Sequence, residues 1–251
     1  MLRSKILFIS LVIVACLALP TACLGGTLLV NQVDPYLGYG YGLYYWDSFS
    51  AALDGAYGAG NISVSTAAMD NLATLLGYDS LLVGPRQSGA GTGLSATEIS
   101  VLSSYVATGR RVALVGENAA WADWDTSILQ AVGGTFGGEF DGNSAAVLAH
   151  PLTAGVSQVY FAIDGLAVGG TSLFAANVAT LWGGGQSALT LLSVNVIEDD
   201  NWATLNDAAF GTNIAEWLAG DEGPSIPEPS TFVLFGAGAL LIGIRRCAHR
   251  G

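Results

Sequence analysis

The sequence predicts an α/β protein. A mostly parallel sheet flanked by helices sits between a cleavable N-terminal signal peptide and a C-terminal apolar helix. Three observations carry this. Short apolar runs at 27–32, 80–84 and 111–116 show no polar alternation, as strands covered on both faces do. Segments with helical spacing separate them, in the strand–helix rhythm of a parallel sheet. Both ends of the chain carry an uncharged apolar segment next to basic residues.

In order, residues 1–26 read as the signal peptide. Arg3 and Lys5 precede a core of 14 residues from Ile6 to Leu19, and Pro20-Thr21-Ala22 breaks it. Cleavage is expected between Ala22 and Gly26; a faint lipobox at 19–23 would instead make Cys23 a lipidated terminus. Thr27–Gln32 is the first strand. The Tyr- and Gly-rich stretch Asp34–Trp46 leaves two readings open: a stacking platform for sugar rings, or a loop whose tyrosines fold back onto the sheet. Asp47–Tyr57 is a helix with Phe49, Leu53 and Tyr57 on one face. Ile62–Thr66 is a weak strand, and Met69–Leu76 a helix with Leu72, Leu75 and Leu76 inward.

Ser80–Gly84 is a strand. Ser95 and Glu98 form a capping box, in which each side chain reaches the other's backbone amide. The helix they start carries Ile99, Leu102 and Val106. Arg111–Gly116 is the next strand and Trp124–Val132 the next helix. From Thr135 to Gly185, short apolar runs between Gly and Ser predict hairpins. Ala188–Val196 reads as one long strand, and Asn206–Leu218 as a last helix with Phe210, Ile214 and Trp217 inward. Residues 27–220 are thus the domain, 221–225 a linker and 226–251 the apolar tail.

Charge narrows the function classes. Nineteen carboxylates from Asp34 to Glu222 face only Arg86, Arg110 and Arg111, with no Lys. So negative a surface repels phosphate backbones, which argues against nucleic acid as a partner. All three cysteines, Cys16, Cys23 and Cys247, lie in the ends. The domain therefore has no disulfide, thiolate metal site or Cys nucleophile.

Three stretches invite a chemical reading. Gly91–Ala96 fits G-x-G-x-x-A, but six residues separate it from the strand before it, whereas a dinucleotide turn follows its strand directly. Glu198-Asp199-Asp200 could hold a cation only if neighbouring carboxylates converged, and consecutive side chains diverge. His150, before Pro151, has no G-x-S-x-G nucleophile to serve and reads as a turn residue. We expect no catalytic residue, no metal and no cofactor. A ligand cleft, if present, should lie where parallel strands end, among Asn31, Asp34, Arg86, Glu117, Asn118 and His150; Arg86 has a salt bridge as its simpler role.

The stretches GYDSLLVGPR (77–86), LSATEISVLSSYVATGRRVALVGEN (94–118), HPLTAGV (150–156) and NDAAFGTNIAEWLAG (206–220) resemble the class I glutamine-amidotransferase-like superfamily. The resemblance implies a flavodoxin-like sheet of the non-catalytic branch. Catalytic members present a Cys at the turn after the strand that here is 111–116, and this chain has Gly116-Glu117-Asn118 there, with no His-Glu pair near the end.

The tail is more specific. Pro227, Glu228, Pro229, Ser230 and Thr231 lead into fourteen uncharged residues, Thr231 to Ile244, and then Arg245 and Arg246. This resembles the PEP-CTERM sorting signal. That resemblance implies export through the secretion machinery, transient inner-membrane anchoring, processing by an exosortase-type membrane protease, and a final place at the cell surface or in an exopolysaccharide matrix. Two rival functions for the domain are a carbohydrate-binding module using Tyr36 to Trp46, with extracellular polysaccharide as partner, and a hydrolase built on Glu117 and His150.

Overall fold

A computed structural model describes residues 26–36, 38–58 and 60–220. The predicted signal peptide, the apolar helix and the sorting-motif residues Pro227 to Arg246 lie outside the described residues.

Seven strands form one sheet in the order β2-β1-β3-β4-β9-β8-β7. Four of them, β1 (Leu28–Asn31), β3 (Ser80–Val83), β4 (Arg111–Val115) and β9 (Ala188–Leu191), are almost wholly buried, which is why they read as unbroken apolar runs. They run parallel with β2 (Ile62–Ser65) at one edge, and Leu28, Ser80 and Arg111 stand side by side in register. Antiparallel strands β8 (Ala179–Trp182) and β7 (Thr171–Ser172) extend the other edge. A separate hairpin pairs β5 (Thr135–Ala145) with β6 (Gln158–Val168).

Helices α1 (Asp47–Tyr57), α2 (Leu72–Leu75), α3 (Ala96–Val106), α4 (Ala122–Val132) and α5 (Asp207–Leu218) cover the sheet. Phe49, Leu53 and Tyr57 of α1 are buried, and so are Phe210, Ile214 and Trp217 of α5. The capping box of α3 forms as its sequence dictates, with Glu98 N donating to Ser95 Oγ at 3.2 Å and Ser95 N to Glu98 Oε2 at 2.9 Å. Gly133, at φ 82°, closes α4 in the left-handed conformation that a Cβ would disfavour.

Three expectations need correction. The helix expected over Met69–Leu76 is only the turn α2. Asn71 caps it by accepting from Ala73 N, so Met69 is a buried loop residue and Leu76 is exposed. The long strand expected to Val196 ends at Leu191. Beyond it the backbone turns to other partners: Leu192 O accepts from Gly165 N, and Val194 N donates to Glu117 Oε2. Finally, β5 and β6 are eleven residues each rather than several short strands; two register shifts, at Phe136/Gly138 and Phe140/Gly142, break the alternation that would have revealed them.

Candidate functional site

The C-terminal ends of β1, β3, β4 and β9 meet beneath the Tyr-rich loop. Glu117 stands one residue past Gly116 at the end of β4 and is 6% exposed. Its Oε2 accepts from Val194 N at 2.9 Å, and its Oε1 from Asn118 Nδ2 at 3.3 Å and Asn195 Nδ2 at 3.4 Å. Asn195 also donates to Asp164 Oδ1 at 3.1 Å. Asp125, on the first turn of α4, accepts from Glu117 N at 3.0 Å. Glu198 accepts from Tyr39 Oη at 2.8 Å and Asn201 Nδ2 at 2.6 Å. Four carboxyl groups from four segments are thus buried together.

Among the described residues, no hydrogen bond or ion pair in this group comes from a basic side chain, and burial is the first cause of each raised pKa. Burial, with the charges of Asp164, Asp125 and Glu198, pushes Glu117 up to about 9. Asp164 is pushed up to about 7, chiefly by burial and against the hydrogen bonds of Ser193 and Asn195. Asp125 lies well above the ordinary carboxyl value for the same first reason, with Asp164 adding to it, and Glu198 is raised. At neutral pH Glu117 carries its proton. Asp125 Oδ2 and Asp164 Oδ2 are buried and have no hydrogen-bond partner, which neutral carboxyls tolerate far better than charged ones.

The backbone is shaped around this cluster. Ile163, a β-branched residue 54% exposed, sits at φ 55° in the hairpin bulge and turns Asp164 inward; such a conformation costs about 1–3 kcal/mol and persists only where its surroundings hold it. Gly165 is required because a Cβ there would stand 2.5 Å from Glu117 O.

Above the cluster the tyrosines pack on one another. Tyr36 and Tyr39 are parallel with centroids 5.9 Å apart, Tyr39 and Tyr45 stack at 4.9 Å, and Tyr36 meets Trp121 edge-on at 4.7 Å. Of the loop's two readings the structure takes the folded-back one, with Tyr44, 74% exposed, as the exception. What is left between loop and cluster is a cavity of about 30 Å³ lined by Tyr36, Tyr39, Pro85, Glu117, Trp121 and Val194. A larger groove, about 610 Å³, lies away from these strand ends on the β5–β6 hairpin, beside Phe140, Leu166 and Asn177.

The remaining residues singled out from sequence are placed as follows. Asn31 is buried and donates to Ala67 O at 2.9 Å. Asp34 is exposed at φ 47°. Arg86 pairs with Glu98 at 2.5 Å and lies over the Trp124 ring, while its carbonyl accepts from Trp121 Nε1. Asn118 caps the turn Ala119–Trp121 through Ala120 N. His150 caps the turn Pro151–Thr153, accepting from Leu152 N, and that turn is held by Asn213 of α5. The structure brings Glu117 and Asn118 together and ties His150 to a different element. Sequence reasoning missed Asp125, Asp164 and Asn195. Asp164 had a visible signal, being a carboxylate inside the apolar run VYFAIDGLAV (159–168).

The two stretches weighed as ligand sites serve the fold. Gly91 N donates to Asp123 Oδ2 and Leu94 N to Ser127 Oγ, so α4 takes up amides that a phosphate would need. Asp199 accepts from Asp47 N and Ser48 N, both at 2.8 Å, and so caps α1. Among the described residues no set of three or more His, Cys, Asp or Glu is placed to hold a metal, and no helix is long and apolar enough to cross a membrane.

Comparison with known proteins gives two results of different kind. Residues 225–246 match the PEP-CTERM protein-sorting motif. That signal implies export, transient membrane anchoring and processing by exosortase, a membrane protease. The domain is similar in fold to the mmIFT52 N-terminal domain (TM-score 0.58, 13% identity, 76% of this chain and 100% of that one). It is also similar to a glutamine amidotransferase from Methylobacillus flagellatus (TM-score 0.50, 10% identity, 79% of this chain and 94% of that one). At these identities the likeness is one of fold, weak for the glutamine amidotransferase-like sheet that the sequence suggested. No curated protein matches the sequence.

Proposed function

We propose that this is an exported protein that its C-terminal signal delivers to the cell surface or extracellular matrix, and that its α/β domain performs no catalysis there. The observation that carries the second half is the turn after β4. Catalysis at a strand end needs an accessible group beside room for a substrate. Here that position holds Glu117, protonated, accepting from Val194 N, Asn118 and Asn195, and roofed by Tyr36, Tyr39 and Trp121 over about 30 Å³. About 15 Å³ suffices for one water, so this space suits a water or two and no substrate.

A polysaccharide partner finds support in one place: Tyr44 leaves its ring exposed at the rim of the acidic strand ends. An uncharged sugar would meet no repulsion there.

Mass spectrometry of the protein recovered from its producer tests the delivery. The expected product ends before Arg245; recovery solely of chains ending in intact Arg245-Arg246 and beyond would overturn processing. For the domain, turnover of any ester, amide or glycoside substrate that is abolished by Glu117→Gln would overturn the non-catalytic reading.

A further inference from the structure

The sorting tail leaves the domain from a definite place. Helix α5 packs against β4 and runs back along the sheet, so its end reaches the edge where the parallel strands begin. Arg111, the first residue of β4, donates to Trp217 O and lies over the Trp217 ring at 5.6 Å. The other end of the described chain is at the same edge: Thr27 N donates to Asp79 Oδ2 at 2.7 Å, just before β1 and β3 start in register. The buried carboxyls and the Tyr-rich loop occupy the opposite edge.

Two arginines share the strand-start edge with the carboxylate of Asp79. Arg110 and Arg111, two of the three arginines among residues 26–220, stand at the edge where the tail departs, with Arg110 donating to Leu76 O and Tyr78 O. At the far edge Glu117, Asp125 and Glu198 are buried with raised pKa values, and Asp199 caps the start of α1.

We infer that, while the tail is membrane-anchored, the strand-start edge lies against the lipid headgroups and the strand-end edge with its Tyr-rich loop points away from the bilayer. Chain length bars the inverted arrangement. Ten residues, 221–230, separate Gly220 from the uncharged stretch and span at most about 35 Å when fully extended. A domain of this size is about 40 Å across, so inverting it would take the tether round roughly 60 Å of surface. The inference rests on the sorting reading, since it needs the tail in a membrane. It assigns the outward face, with Tyr44, to whatever partner the matrix offers, and the base to the membrane and its protease.

The test uses the chain from Thr27 onward with Cys247 replaced by Ser, reconstituted in phosphatidylethanolamine–phosphatidylglycerol vesicles that carry a headgroup-level quencher. A fluorophore is placed at Ala107→Cys, exposed at the end of α3, or at Ala120→Cys, exposed just beyond β4. The expected result is that both proteins float with the vesicles, with quenching at residue 107 and none at 120. Equal quenching, or stronger quenching at 120, in floating protein would overturn the orientation alone. Failure of both proteins to float would overturn the anchoring itself and the orientation with it.

Discussion

Glu117 and Asp164 share one donor: the Asn195 side-chain amide reaches Oε1 of the first at 3.4 Å and Oδ1 of the second at 3.1 Å. Two carboxyls bridged by a single uncharged amide stay buried cheaply only while they hold protons.

The pH dependence of stability follows. Unfolded Glu and Asp titrate near about 4.3 and 3.9. The folded values of Asp164 and Asp207 are pushed up to about 7, and that of Glu117 to about 9, each mainly by burial. A raised folded pKa means that the folded state binds the proton more tightly. The stabilisation is therefore complete below pH ~4 and lost as pH climbs through the folded values. Denaturant midpoints should fall between pH 5 and pH 7.5 and fall further towards pH 9. Glu117→Gln should flatten the upper part of that decline. Midpoints that rise with pH would contradict the protonated cluster.

Arg86 and Glu98 make the second prediction. Burial works to raise the Glu98 carboxyl, but Arg86 and the Ser95 bonds outweigh it and hold it below its ordinary value. The pair is mostly buried, and Glu98 also receives Met69 N. Removing one partner of a buried pair leaves an uncompensated charge, at a cost of about 3 kcal/mol or more. Arg86→Ala should lose about that much by urea unfolding. The Arg86→Met, Glu98→Gln double variant should recover much of it, as removal of both charges predicts. A loss under about 0.5 kcal/mol for Arg86→Ala would place the pair among ordinary surface pairs.

Asp199 gives the third. It caps α1 from more than 150 positions away in sequence, accepting from Asp47 N and Ser48 N. Loss of a cap costs about 1 kcal/mol. Asp199→Ala should lower stability by that amount, whereas Asp200→Ala, two residues beyond buried Glu198, should change it little. Added calcium should shift neither variant nor the parent protein in thermal melting.

Much of the fold was legible because its signals are local. β1, β3 and β4 are covered on both faces and declare themselves as apolar runs; α3 announces its start through Ser95 and Glu98. The elements that misled are those whose backbone answers to distant partners. Leu192–Val196 is apolar enough to extend β9, yet its amides and carbonyls serve Glu117 and Gly165. In the hairpin, glycines and two bulges erase the alternation. The site divides the same way. Glu117 stands at the end of an obvious strand and could be named. Asp125 is hidden in a helix, Asp164 turns inward only because Ile163 adopts φ 55°, and Asn195 sits where a strand was expected.

The neighbours of β4 set a timetable for the chain. Its partner on one side, β3, precedes it closely, but on the other side Val112 pairs with Ala188, some 76 positions later. Closing so long a loop before any contact repays it is slow. In a chain that emerges from its N-terminal end, the central strand stays open on one flank until nearly the whole domain is out. The sorting motif begins at residue 225, only 34 positions after β9 ends at Leu191. Completion of the sheet and emergence of the sorting signal are thus separated by only these 34 positions.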